Sequence, residues 1–180
     1  MGTKKGLKVL VLTGLGFTTA FGSAIAASPR IDWPCFRGGP WMRGVARSPF
    51  TANPRLLWTR ETGSSIESTA AIVGDTVYIA TYDGQLLALK LSNGATKWSY
   101  PAEGSISASP CMAWGRIYIG DENGIFYAVN ASSGKLEWKF ETEDKIIASA
   151  NARSDSILFG SYDNRLYRLN ATTGEKIWDF

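Results

Sequence analysis

The residues whose types could do chemistry are few: the acids Asp83, Asp121, Asp163 and Glu67, and the cysteines Cys35 and Cys111. The 180-residue sequence has no histidine, so the commonest general base and metal ligand is missing. Asp83 precedes Gly84, and Asp163 precedes Asn164; Asn123-Gly124 fills the same place between them. Such pairs between two apolar runs predict two-residue hairpin turns of type I′, which explains both acids without catalysis. Asp121 corresponds to Thr81 and Ser161, and Glu67 to Ser107 and Ile147, so these two acids have no explanation in the surrounding pattern. Two isolated carboxylates make a poor calcium site, since calcium takes about six or more oxygen ligands. No metal site and no catalytic residue is predicted.

What positions these residues is a repeat. Tryptophan returns every 40 residues at Trp58, Trp98, Trp138 and Trp178, and Gly94, Gly134 and Gly174 keep the same spacing, as do Ile66, Ile106 and Ile146. A period of this size means stacked supersecondary units. Each unit shows four short strand signals rich in Val, Ile, Tyr and Thr, separated by turn residues, which excludes a helical solenoid. In the first unit these are Ser65–Val73, Thr76–Tyr82, Gln85–Leu91 and a last strand through Trp98. Small residues open each unit (Ser68-Thr69-Ala70, Ala108-Ser109-Pro110, Ala148-Ser149-Ala150), and Ala80, Gly120 and Gly160 mark a second close approach. Bulky Leu86, Phe126 and Leu166 follow. Strands narrow inside and broad outside predict an all-β fold of about three β-propeller blades, 61–100, 101–140 and 141–180. The tryptophans are expected to dock between blades.

Residues 27–60 form a lead that holds five of the seven prolines and reads as an extended arm followed by one outer strand, Leu56–Thr59. Residues 1–26 read as an export signal: Lys4, Lys5 and Lys8, an apolar stretch Val9–Phe21, and a small-residue cleavage site ending at Ala26. Retention as a membrane anchor is the alternative. Of the 19 basic residues those three lysines, and none of the 16 acids, lie in residues 1–26, so residues 27–180 are neutral overall. No basic stripe remains for a phosphate backbone, which argues against a nucleic-acid partner. An oxidising compartment makes a Cys35–Cys111 disulfide possible, although sequence alone does not bring the two together. The sequons at Asn130 and Asn170 coincide with repeat turns and read as incidental.

The stretches Ala88–Trp98, Ala128–Trp138 and Arg168–Trp178 resemble the tryptophan-docking motif A-x-D-x-x-T-G-x-x-x-W of the pyrroloquinoline-quinone-type repeat. Gly and Trp match throughout; the Asp position holds Lys90, Asn130 and Asn170, and only Thr173 keeps the Thr. Residues 33–46, WPCFRGGPWMRGVA, are similar to the W-P-x-F-R-G opening of exported propellers in this superfamily. The resemblance implies one of two classes: a non-catalytic, BamB-like assembly scaffold with protein partners in the periplasm or another extracytoplasmic space, or a quinoprotein dehydrogenase. The scaffold is the reading adopted here, with no cofactor and a peripheral membrane association compatible with it. Pyrroloquinoline quinone and calcium belong to the alternative, which implies an adjacent Cys-Cys pair; here the cysteines stand 76 positions apart.

Three blades do not close a ring, because propellers need about 4–8. The sequence therefore reads as the N-terminal part of a longer, eight-bladed protein, with self-association as the alternative.

Overall fold

A computed structural model describes residues 6–10, 32–39, 41–46 and 53–180. A short strand β1 (Gly6–Leu10) lies antiparallel to β2 (Leu56–Glu61). Three four-stranded antiparallel sheets follow. The first comprises β3 (Ala71–Val73), β4 (Thr76–Ala80), β5 (Gln85–Lys90) and β6 (Thr96–Pro101). The second comprises β7 (Cys111–Ala113), β8 (Arg116–Gly120), β9 (Ile125–Asn130) and β10 (Leu136–Glu141). The third comprises β11 (Asn151–Arg153), β12 (Ser156–Gly160), β13 (Leu166–Asn170) and β14 (Lys176–Asp179). In each, strands pair in chain order, the meander of a propeller blade. The all-β partial propeller predicted from the repeat is what the structure shows.

Two of the three apolar clusters lie between blades, and the third packs Val77, Ile79 and Leu89 of the first unit with Trp58. One cluster joins Tyr78, Leu86 and Ala88 of the first unit to Ile106, Ile117, Ile119 and Tyr127 of the second. A second joins Tyr118, Phe126 and Ala128 to Ile146, Ile157, Phe159 and Tyr167. Phe126 and Phe159 stack across this seam with ring centroids 3.9 Å apart. Gly120 explains how closely the blades approach: a Cβ there would strike Ile146 of the next unit.

Two expectations about local structure need correction. The turns at Asp83-Gly84 and Asn123-Gly124 are not type I′, because only the glycine takes positive φ, +86° and +82°. Gly84 N donates to Thr81 O, and Gly124 N to Asp121 O, so the turn is centred one residue earlier and the glycine follows it. In the third unit Asn164 holds that place with φ 68°. The two-residue turns with first residue at positive φ join β3–β4, β7–β8 and β11–β12 instead; in the second, Trp114 and Gly115 both have it.

The inner strands are also shorter than the small-residue segments suggest. Thr69 N donates to Ser109 Oγ at 3.0 Å, and Ser109 N to Ser149 Oγ at 3.1 Å. These amides bond to the next blade's hydroxyl, so the ladder begins only at β3, β7 and β11.

The expected lone outer strand β2 pairs with β1, whose residues lie inside the expected export signal, so this pairing belongs to the chain before cleavage; an open edge accepts such an extended segment. The rest of the expected signal segment, including Ala26, lies outside the described residues.

Candidate functional site

The arm of residues 32–46 does not drape over the outside of the blades. Trp33 and Ile72 exchange backbone hydrogen bonds at 2.7 and 2.9 Å, on the free edge of β3. Met112 N of β7 donates to Pro34 O at 2.7 Å. Asp32 Oδ1 accepts from Gly74 N at 2.9 Å. Cys35 and Cys111 are joined in a disulfide with Cα atoms 4.2 Å apart. Farther on, the Arg153 guanidinium sits over the Trp41 ring, 5.5 Å from its centroid. The arm therefore crosses the innermost strands of all three units in turn.

The repeated tryptophans occupy the other extreme, the outer strands. Trp58 Nε1 donates to Leu91 O, Trp98 Nε1 to Ala131 O and Trp138 Nε1 to Ala171 O, each reaching 33 residues ahead into the next unit. Their rings cover Gly94, Gly134 and Gly174: a Cβ on these glycines would come within 2.6–2.7 Å of the indole. All three glycines also have φ between +71° and +76°, so both geometry and space demand glycine. Trp178 lies partly open at 36% exposure. Sequence reasoning missed the tyrosines that share these acceptors. Tyr78 OH donates to Ala131 O, and Tyr118 OH to Ala171 O. Their spacing of 40 was the available signal. Burial pushes the Tyr118 hydroxyl up to about 12.

The acids are committed to turns. Asp121 is fully buried and accepts four hydrogen bonds: from Gly104 N (2.9 Å), Asn123 N (3.0 Å), Ile125 N (2.9 Å) and Tyr127 OH (2.7 Å). Burial pushes the Tyr127 hydroxyl up, and the bond to Asp121 adds to the effect. Asp163 does the same work two positions later, accepting from Glu143 N, Arg165 N and Tyr167 OH. Burial opposes its ionisation, but these donors hold its carboxyl below the usual range. Asp83 accepts from Thr81 Oγ1, whose oxygen takes the Gln85 N–H. Each unit thus places one carboxylate at one of two positions, which accounts for Asp121. Glu67 is exposed. Asn130 and Asn170 turn their side-chain oxygens onto the amides two and three residues ahead, which supplies the motif's missing Asp.

Among the described residues no three His, Cys, Asp or Glu side chains gather as a metal site, and the two cysteines bond across 76 positions instead of forming an adjacent pair. Among the described residues no helix is long and apolar enough to cross a membrane.

The family model described as outer membrane protein assembly factor BamB matches residues 48–180. The chain belongs to this BamB-type family of quinone-repeat β-propellers. No curated protein sequence matches it. Among solved structures, BamB from Moraxella catarrhalis aligns at TM-score 0.64 and 19% identity, covering 98% of this chain and 50% of that one. Quinohemoprotein alcohol dehydrogenase from Comamonas testosteroni aligns at TM-score 0.70 and 16% identity, covering 83% of this chain and 27% of that one. A europium-containing methanol dehydrogenase aligns at 0.56 and 22%, covering 61% and 23%. At such identities the likeness concerns the fold alone. The chain spans half the length of the BamB structure.

Proposed function

We propose that this chain is part of an exported, non-catalytic propeller that binds protein partners as an assembly scaffold, in the manner implied by the BamB family description. One observation carries the reading: the acid with no place in the repeat, Asp121, is buried with four donors around its carboxylate and is spent on holding a turn. Asp163 is held by two amides and Tyr167, and Asp83, at an exposed turn, accepts from Thr81 Oγ1, so these acids are accounted for by their turns, whereas Glu67 faces solvent. What the fold offers is rigid surface supported by interblade packing. An extracytoplasmic location agrees with the export signal read at residues 1–26.

The alternative is a quinoprotein dehydrogenase, favoured by the fold shared with the Comamonas enzyme. Titration of the full-length protein with pyrroloquinoline quinone and calcium separates the two. The scaffold reading predicts no saturable quinone absorbance change and no dye-linked alcohol oxidation. Stoichiometric quinone binding would overturn it.

A further inference from the structure

The arm contains more order than a closing tether needs. Besides its backbone bonds to β3 and β7 and its disulfide to Cys111, it holds two non-glycine residues in the left-handed region, Arg37 at φ 56° and Met42 at φ 47°. Three hydrogen bonds enforce that path: Gly38 N to Cys35 O, Met42 N to Gly39 O, and Gly44 N to Arg37 O. Gly38 lies against the Trp33 ring, where a Cβ would be 3.0 Å from the nearest ring carbon. Backbone strain persists only where the surroundings over-determine it, and it collects at ligand clamps.

What this ordered loop presents is apolar and cationic. Trp41 is 70% exposed and Val45 73%. The arm carries Arg37 and Arg43 against one carboxylate, Asp32, which is taken up by Gly74 N. The Arg37 Nε lies 3.7 Å from where a Gly44 Cβ would stand, next to Arg43, and Arg153 stacks on Trp41. All three arginines are exposed, and none forms an ion pair among the described residues.

We propose that the disulfide-pinned arm is a docking surface for an acidic polypeptide segment carrying an aromatic or aliphatic anchor. This deepens the scaffold reading and rests on it. Tryptophan and arginine are the side chains most enriched at binding hot spots, and a surface rigid before binding loses little entropy on contact. Charge complementarity selects the partner: three exposed guanidiniums that form no ion pair among the described residues call for carboxylates, which arginine grips in bidentate fashion. The acids nearest in sequence are engaged elsewhere, Asp32 with Gly74 N and Asp155 with Arg168. An anionic membrane is the poorer match, because lipid-binding clusters carry roughly 4–8 basic residues.

The test uses the full-length protein and three probes: a fluorescein-labelled peptide of alternating Glu and Phe, a matched Lys–Phe peptide, and phosphatidylglycerol vesicles. The acidic peptide should bind at least about tenfold more tightly than the basic one. Trp41→Ala, Arg43→Glu and Arg153→Glu should each weaken it by about tenfold, while Lys135→Glu, at an outer turn, leaves it unchanged. Cys35→Ser should weaken it with the blades' circular dichroism retained. Equal binding of both peptides, indifference to all three arm-surface variants, or binding to vesicles alone would overturn the proposal. Cross-linked partners that persist unchanged in those variants would place the scaffold's contacts elsewhere and leave the scaffold reading standing.

Discussion

Tyr127 donates its hydroxyl to the buried carboxylate of Asp121 at 2.7 Å, and 40 residues later Tyr167 donates to Asp163 at 2.6 Å. The tyrosine keeps its place in the repeat while the acid moves by two residues. The turn can be held from either position, since both carboxylates reach the same hydroxyl and the same following amide, Ile125 N or Arg165 N.

Asp121→Asn should destabilise the fold without altering any activity. Gly104 N and Tyr127 OH both donate to Oδ2, and an amide cannot accept through both of its ends. The cost is about 1–3 kcal/mol for a buried donor left unmet. Urea unfolding of the full-length protein measures it, and a midpoint equal to wild type would contradict the assignment.

The Trp98–Gly134 contact predicts strong coupling. Trp98→Ala should cost about 3–5 kcal/mol, and Gly134→Ala about 1–2 kcal/mol from its left-handed backbone alone, with further cost from the indole 2.7 Å away. The double variant should cost less than the sum, because removing the ring removes the clash. A double-mutant cycle on urea midpoints reads this directly; strict additivity would mean that the two do not touch.

Stability should fall on the alkaline side. Tyr118 is raised from 10.0 to about 12 by burial, and Tyr78 is raised by the same cause. An elevated folded value means that the neutral phenol is favoured in the fold. Its contribution is fully present below pH 10 and is lost as pH rises toward 12. Tyrosinate absorbance of these residues should therefore appear together with loss of β-sheet circular dichroism. Ionisation well before unfolding would contradict their burial.

Reduction of Cys35–Cys111 should free the arm. Cross-linking across 76 residues is worth roughly 4 kcal/mol in the chain-entropy model. Limited proteolysis should cut within residues 33–46 only after reduction or in Cys35→Ser, leaving the blades intact. Equal cutting with the disulfide formed and reduced would show that the disulfide is not what holds the arm.

The blades were legible because Trp98, Gly134 and Ile146 recur in strict register, and period alone identifies stacked units. The turn class was not, because Asp-Gly favours several turns and the choice depends on where the Thr81 carbonyl bonds. Nor was the short inner strand, whose amides bond hydroxyls 40 residues away. The role of Asp121 was hidden for a related reason: its four donors come from both sides along the chain and meet only after two strands pair. The arm's course depends on contacts with β3, β7 and β11, none of which a Pro-rich stretch announces.

The central claim is that the protein works by holding partners. In-cell cross-linking of the full-length tagged protein, followed by identification of the species joined to it, tests this most directly. The account predicts discrete, reproducible adducts with extracytoplasmic or outer-membrane assembly proteins, retained in Asp121→Asn. A protein that yields no specific adduct, yet purifies with bound quinone and oxidises alcohols, would contradict it.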